Sequence, residues 1–146
     1  MKKEPLKIKV KLEKNAKKPT KGFSTDAAYD LYSYQPFTTV DPGEGVCFRT
    51  GTHMLIPEGY CGLLVSKSGM NVRNGITSEG LIDSGFQGEI IVKLYNNSSR
   101  QYTVFKGDKI SQILILPIPE TDLEEVEDFE EKTERGENGF GSTGMQ

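Results

Sequence analysis

Asp83 interrupts an apolar run, Leu81-Ile82-Asp83, and has Gly80, Gly85 and Gly88 around it. Glycines at that density predict a hairpin with close backbone approach. A carboxylate there either caps the turn or accepts a proton from a water. Asp30 is a second acid in an apolar setting, after Ala27-Ala28-Tyr29 and before Leu31. Ser66-Lys67-Ser68-Gly69-Met70 follows an apolar stretch. Hydroxyls, a cation and a glycine at a strand end suit phosphate, and a loop with incidental serines has the same composition. The tail, Arg135-Gly-Glu-Asn-Gly-Phe-Gly-Ser-Thr-Gly144, offers a guanidinium fork, two hydroxyls and glycine N–H groups to an anion. Phe140 has nothing local to pack on and suits a lid over a flat base. A glycine-rich end without fixed structure is the alternative. The tail is not a Walker A loop, since GxxxxGK[ST] is absent.

Other side chains that could do chemistry read as structural. His53, the sole histidine, sits beside Met54 with no acidic or thiol neighbour along the chain. Cys47 and Cys61 have no CxxC spacing or nearby His, which argues against a metal site. Cys61 reads as a buried thiol within Tyr60-Cys-Gly-Leu-Leu-Val65. Two cysteines in 146 residues are too few for a disulfide scaffold. A net charge of −3 gives no reason to expect nucleic acid or an anionic membrane as partner. Charge is uneven, with nine Lys in residues 1–21 and nine acids in residues 120–134. The lysines alternate with Leu6, Ile8, Val10 and Leu12, as on a fringed strand. With no signal peptide and no membrane-spanning run visible, the expected address is the cytoplasm.

The elements that must hold these groups are strands. Leu6 to Leu12, Val46 to Ile56, Tyr60 to Val65, Glu89 to Tyr95, Tyr102 to Phe105 and Ile110 to Leu116 carry β-prone patterns. Pro57-Glu-Gly59, Asn96-Asn-Ser-Ser99 and Lys106-Gly-Asp108 punctuate them as turns. Short strands at spacings of roughly ten residues predict an all-β sandwich, jelly roll or barrel. One short helix is expected, near Ser68 to Arg73. Leu123, Val126 and Phe129, spaced by three, would give at most a turn or two in an acidic, solvated connector. The expected organisation is one domain over 1–119, an acidic connector over 120–134 and a glycine-rich arm over 135–146.

Taken in order, these pieces resemble the five motifs of the dUTP pyrophosphatase family. Ala27 to Ser33 resembles the first, Ser66 to Met70 the second and Gly80 to Glu89 the third. Gly107-Asp-Lys-Ile-Ser-Gln-Ile113 resembles the fourth and Arg135 to Gly144 the fifth. The resemblance implies a jelly-roll-like distorted β-barrel that splits dUTP into dUMP and pyrophosphate. Asp83 would be the base for a water attacking the α-phosphorus. Lys67, Ser68, Gly69 and Gln112 would hold phosphates. Gly80, Leu81, Ile82, Phe86, Glu89 and Ile90 would bind uracil and deoxyribose, the loop reading uracil through backbone groups and Phe86 lying against the sugar. Arg135, Ser142 and Thr143 would close on the triphosphate, with Phe140 and Gly141 over uracil. Mg²⁺ would be held chiefly by the triphosphate, with Asp30 supporting it through water. A homotrimer with shared active sites is also implied.

Two positions depart from the family pattern. Lys67 stands where Arg is usual, keeping the charge and losing the planar fork. Phe86 stands where Tyr is usual, keeping the ring and losing the hydroxyl. Two other functions stay open. A dCTP deaminase of the same fold would need water activated beside the base, not the α-phosphorus. A dUTP-sensing regulatory protein would use arm closure without turnover.

Overall fold

The computed structural model describes residues 3–144. Along the chain run β1 (Lys9–Leu12), β2 (Ala28–Tyr32), β3 (Thr38–Val40), β4 (Gly45–Arg49), β5 (Thr52–Leu55) and β6 (Tyr60–Val65). Then come α1 (Ser68–Asn74), β7 (Ile76–Thr77), β8 (Glu79–Ile82), β9 (Ile91–Asn96), β10 (Tyr102–Val104) and β11 (Lys109–Pro117). All strand pairs are antiparallel, in four small sheets: β1-β5, β3-β10, β2-β11-β6-β8 and β4-β9-β7. The fold is the expected all-β, jelly-roll-like one, divided among these sheets rather than drawn as a single closed barrel. Their inner faces share one core, including Leu31, Phe48, Ile56, Val92, Leu94 and Ile113.

Three local differences from expectation have identifiable causes. The stretch Val46 to Ile56, expected as one strand, is two strands in different sheets. The chain turns at Thr50-Gly51, where Gly51 has φ of +65° and a Cβ would meet that of Ala16 at 2.8 Å. The Thr50 hydroxyl fixes the bend by donating to the Ile90 carbonyl at 2.6 Å. Second, β2, like the short β3 and β7, has no counterpart among the expected strands. Its sequence Ala-Tyr-Asp-Leu-Tyr buries Asp30 beside Leu31, so apolar alternation is lost. Third, Gly80 to Glu89 is not a hairpin. β8 pairs with β6 while β9 pairs with β4 and β7, so the loop carries the chain from one sheet to another.

The short helix forms where expected, one residue longer. Gly75, at φ +65°, ends it and donates its N–H to the Asn71 carbonyl. Met70 is the buried residue that anchors α1 to the core. Asn96, 1% exposed, ties the loop after β9 together. Its amide donates to the Val40 and Arg100 carbonyls, and its oxygen accepts from Ser98.

Beyond Ile118 the described residues form no strand or helix and are exposed. Leu123, Val126 and Phe129 find no apolar surface on their own chain, so the spacing by three produces no helix. Among the described residues no helix is long and apolar enough to cross a membrane.

Candidate active site

Three of the sequence motifs meet at one end of the four-stranded sheet. β11 lies between β2 and β6, and its Gln112 stands opposite Asp30 on one side and Val65 on the other. Asp30, 5% exposed, gathers the polar groups there. Lys67 donates to Asp30 Oδ1 at 2.5 Å, Gln112 Nε2 donates to the same oxygen at 3.3 Å, and Lys109 Nζ lies 3.4 Å from Oδ2. Burial pushes the Asp30 carboxyl up, but Lys67, with Lys109, outweighs this and holds it below its ordinary value. A buried hydroxyl network braces the Ser66-Lys67-Ser68 bend. Ser111 donates to the Val65 carbonyl at 3.0 Å and shares a 2.7 Å bond with the Ser78 hydroxyl. Ser66 donates to the Ser78 carbonyl at 3.2 Å and accepts from its N–H at 2.9 Å. Ser68 and Gly69 are thereby held exposed at the start of α1, beside the Asp30 cluster.

The lowered Asp30 pKa carries a stability consequence. A carboxyl depressed by folding contributes stability above its unfolded pKa, and loses it as pH falls through the folded value. Acidification from about pH 5 to about pH 3 should therefore lower the melting temperature of the native chain more than that of Asp30→Asn. Parallel melting curves for the two proteins would refute the assignment.

The loop after β8 builds a second surface. β8 ends at Ile82, so Asp83 opens the loop rather than interrupting the strand. The turn is closed by Phe86 N–H to the Asp83 carbonyl at 3.3 Å and by Gly85 N–H to the Ile56 carbonyl at 3.1 Å. The Asp83 carboxylate is exposed. The Phe86 ring folds over Gly88, where a Cβ would collide with ring carbon Cζ, so a side chain there would displace the ring. Leu81 and Phe86 remain exposed, at 63% and 44%. Glu89 and Ile90 are committed to the fold. Ile90 is fully buried, donates its N–H to Thr52 and accepts from Thr50. Arg49 grips both Glu89 oxygens, at 3.1 and 3.0 Å from Nε and 2.7 Å from a terminal nitrogen. The guanidinium holds the Glu89 carboxyl below its ordinary value against the opposing push of burial. Both side chains are held by the fold.

The two surfaces do not meet within one chain. Gly62 stands opposite Ile82 in the β6–β8 pair, which puts Asp83 beside Cys61. Ser68 lies beyond Val65, the far end of β6. At the rise of an extended strand that separation is about 20 Å. The arm is separate again. Its hydrogen bonds run within residues 133–144, including Arg135 Nε to the Asn138 carbonyl at 2.9 Å, and Phe140 is fully exposed. Met145 and Gln146 of the expected arm lie outside the described residues.

Sequence reading missed several contributors. Lys109, three residues from Gln112 in the fourth motif, has no role assigned by it, yet it stands beside Asp30. Ser78 lies outside the five motifs, and Ser111 lies in the fourth with no role assigned to it. His53 does have an acidic neighbour, contributed by the fold. Its Nε2 is 3.2 Å from Glu13 Oε1, and its Nδ1 is 2.9 Å from the Gln87 carbonyl. Ligand atoms of Glu13, His53 and Glu89 lie within 4.8 Å of one another. Arg49 already satisfies Glu89 and its fixed charge repels a cation, so the group is an ion-pair network rather than a metal centre.

Known proteins are similar to this chain along most of its length. A family model described as dUTPase matches residues 14–144. The deoxyuridine 5'-triphosphate nucleotidohydrolase of Candida albicans is 38% identical over 143 residues, covering 97% of this chain and 89% of that protein. The mouse protein of the same name is 38% identical over 136 residues, covering 92% and 83%. Among solved structures, the dUTPase of Staphylococcus bacteriophage 80alpha with dUPNHPP superposes with a TM-score of 0.87 at 33% identity, covering 94% of this chain and 98% of that one. A mutant dUTPase from phage phi11 of S. aureus, described with a structural Mg(II) ion, gives 0.79 at 29% identity, covering 86% and 100%. With five motifs in order and a match across nearly the whole length, this chain belongs to the dUTPase family.

Proposed function

We propose that this chain hydrolyses dUTP to dUMP and pyrophosphate, with Asp83 drawing a proton from the attacking water. The water oxygen bonds to the α-phosphorus, the bond from that phosphorus to the bridging oxygen breaks, and pyrophosphate leaves with the electron pair. The observation that carries this is Asp83 itself, an exposed carboxylate opening a glycine-rich loop inside a chain of this family. The product would supply thymidylate synthesis, and removal of dUTP would keep uracil out of DNA.

Roles follow from the order of the family's motifs. Ser68, Gly69, Gln112 and Lys67 take the phosphates. Gly80, Leu81 and Ile82 present backbone groups to uracil, and the exposed Phe86 ring, seated on Gly88, blocks a 2′-hydroxyl. Arg135, Ser142 and Thr143 complete the phosphate donors, and Phe140 with Gly141 covers the base. Because base and phosphate grip stand about 20 Å apart along the strands, one site needs at least two copies of the chain. A homotrimer with shared sites satisfies that requirement, with the connector carrying the arm across. Mg²⁺ fits as an ion carried on the triphosphate. It keeps several waters and needs few protein oxygens, and Asp30, already engaged by Lys67, can serve it only through water. Bound there, it would neutralise phosphate charge. The free thiols Cys47 and Cys61 suit a reducing cytoplasm.

Incubation with dUTP and dCTP, followed by product chromatography, tests the reading. dUMP and pyrophosphate are expected from dUTP alone. Consumption of dCTP with dUTP spared would replace it with the deaminase.

A further inference from the structure

We propose that His53 is a positioning residue for the substrate loop, and that it performs this role best as an imidazolium. His53 lies on β5 with its side chain 17% exposed. Nδ1 faces the Gln87 carbonyl at 2.9 Å and Nε2 faces Glu13 Oε1 at 3.2 Å. Both partners accept and neither donates. A neutral imidazole has one N–H, so in either tautomer a ring lone pair points at an oxygen. The imidazolium donates to both.

The surrounding charges suit this state. Glu13 comes from the segment after β1, and Glu89 from the substrate loop itself. Arg49 of β4 stands behind Glu89 and is fully engaged by it. On the other side, Lys11 is the β1 register partner of His53, and Lys9 and Lys11 line the same groove as His53 and Gln87. Gln87 lies between Phe86 and Gly88, the ring and its seat. A bond to the Gln87 carbonyl therefore fixes the part of the loop that receives the deoxyribose. His53 touches no reacting atom, so its effect falls on KM and not on kcat. This rests on the reading that the loop after Asp83 binds the nucleoside.

Two variants separate positioning from mere packing. His53→Asn keeps a donor near the Nδ1 position at every pH, and His53→Leu keeps none. KM for dUTP, measured between about pH 6 and about pH 8, should be about tenfold above native for His53→Leu at the acidic end. That ratio should shrink toward the alkaline end. His53→Asn should stay within about threefold throughout. Equal effects of the two variants, or a Leu ratio independent of pH, would overturn the proposal.

Because the chain has a single histidine, its imidazole resonances are unambiguous in the full-length protein. Adding an unreactive imido analogue of dUTP should raise their titration midpoint, by reciprocity of linked binding. If the amides of Phe86 and Gly88 shift with the analogue but the midpoint does not, the His53 proposal fails and the loop reading stands. If those amides do not respond, the loop reading fails and takes this one with it.

Discussion

Replacing Asp83 with Asn lowers the turnover of dUTP by about 10²- to 10⁴-fold, the range contributed by a positioned general base. An amide of the same shape cannot take the proton. Affinity for an unreactive dUTP analogue should stay close to native, because the substitution leaves the loop intact. The turn is held through the backbone carbonyl of Asp83 and the N–H groups of Gly85 and Phe86, not through the carboxylate. The melting temperature should therefore be unchanged. Rapid-quench turnover beside analogue binding would show the split, and undiminished turnover would remove Asp83 from its role.

Truncation before Arg135 has an effect of similar size by a different route. Under the proposed reading the arm would supply Arg135, Ser142 and Thr143 as donors, and each preorganised donor to developing charge is worth about 10²- to 10³-fold. A loss of roughly 10³-fold or more in turnover is expected when all three go. The fold should not notice, since the arm's hydrogen bonds are internal and its residues exposed. Steady-state kinetics with circular dichroism checks both halves. Full activity in the truncated chain would show the tail to be a passive end.

What the sequence disclosed, and what it withheld, follows from the range of the forces involved. Most strands were legible because their apolar patterns are local. β2 was not, because Asp30 is buried in it and is tolerated only through Lys67, Lys109 and Gln112, which arrive from other parts of the chain. The bend at Gly51 was hidden inside a β-prone stretch, since the Ile90 carbonyl that fixes it through Thr50 lies forty residues away. The loop after β8 read as a hairpin because glycine spacing reports flexibility and not which strand each flank will choose. The candidate residues themselves were legible by motif order. Their partners were not. Glu89 is legible as part of the third motif, while the guanidinium that holds its carboxylate comes from forty residues upstream. His53 read as isolated for the same reason.

The register of β6 against β8 has a consequence for inheritance. Because a chain keeps its base at one end of that strand pair and its phosphate grip at the other, under the shared-site reading no gene product owns a whole site. Two alleles, one spoiled at Asp83 and the other at Ser68, can then rescue each other. In mixed assemblies some sites draw both sound halves from different parents. A single faulty allele is correspondingly costly beside a healthy one, since its products lodge a dead half in sites whose other half is sound.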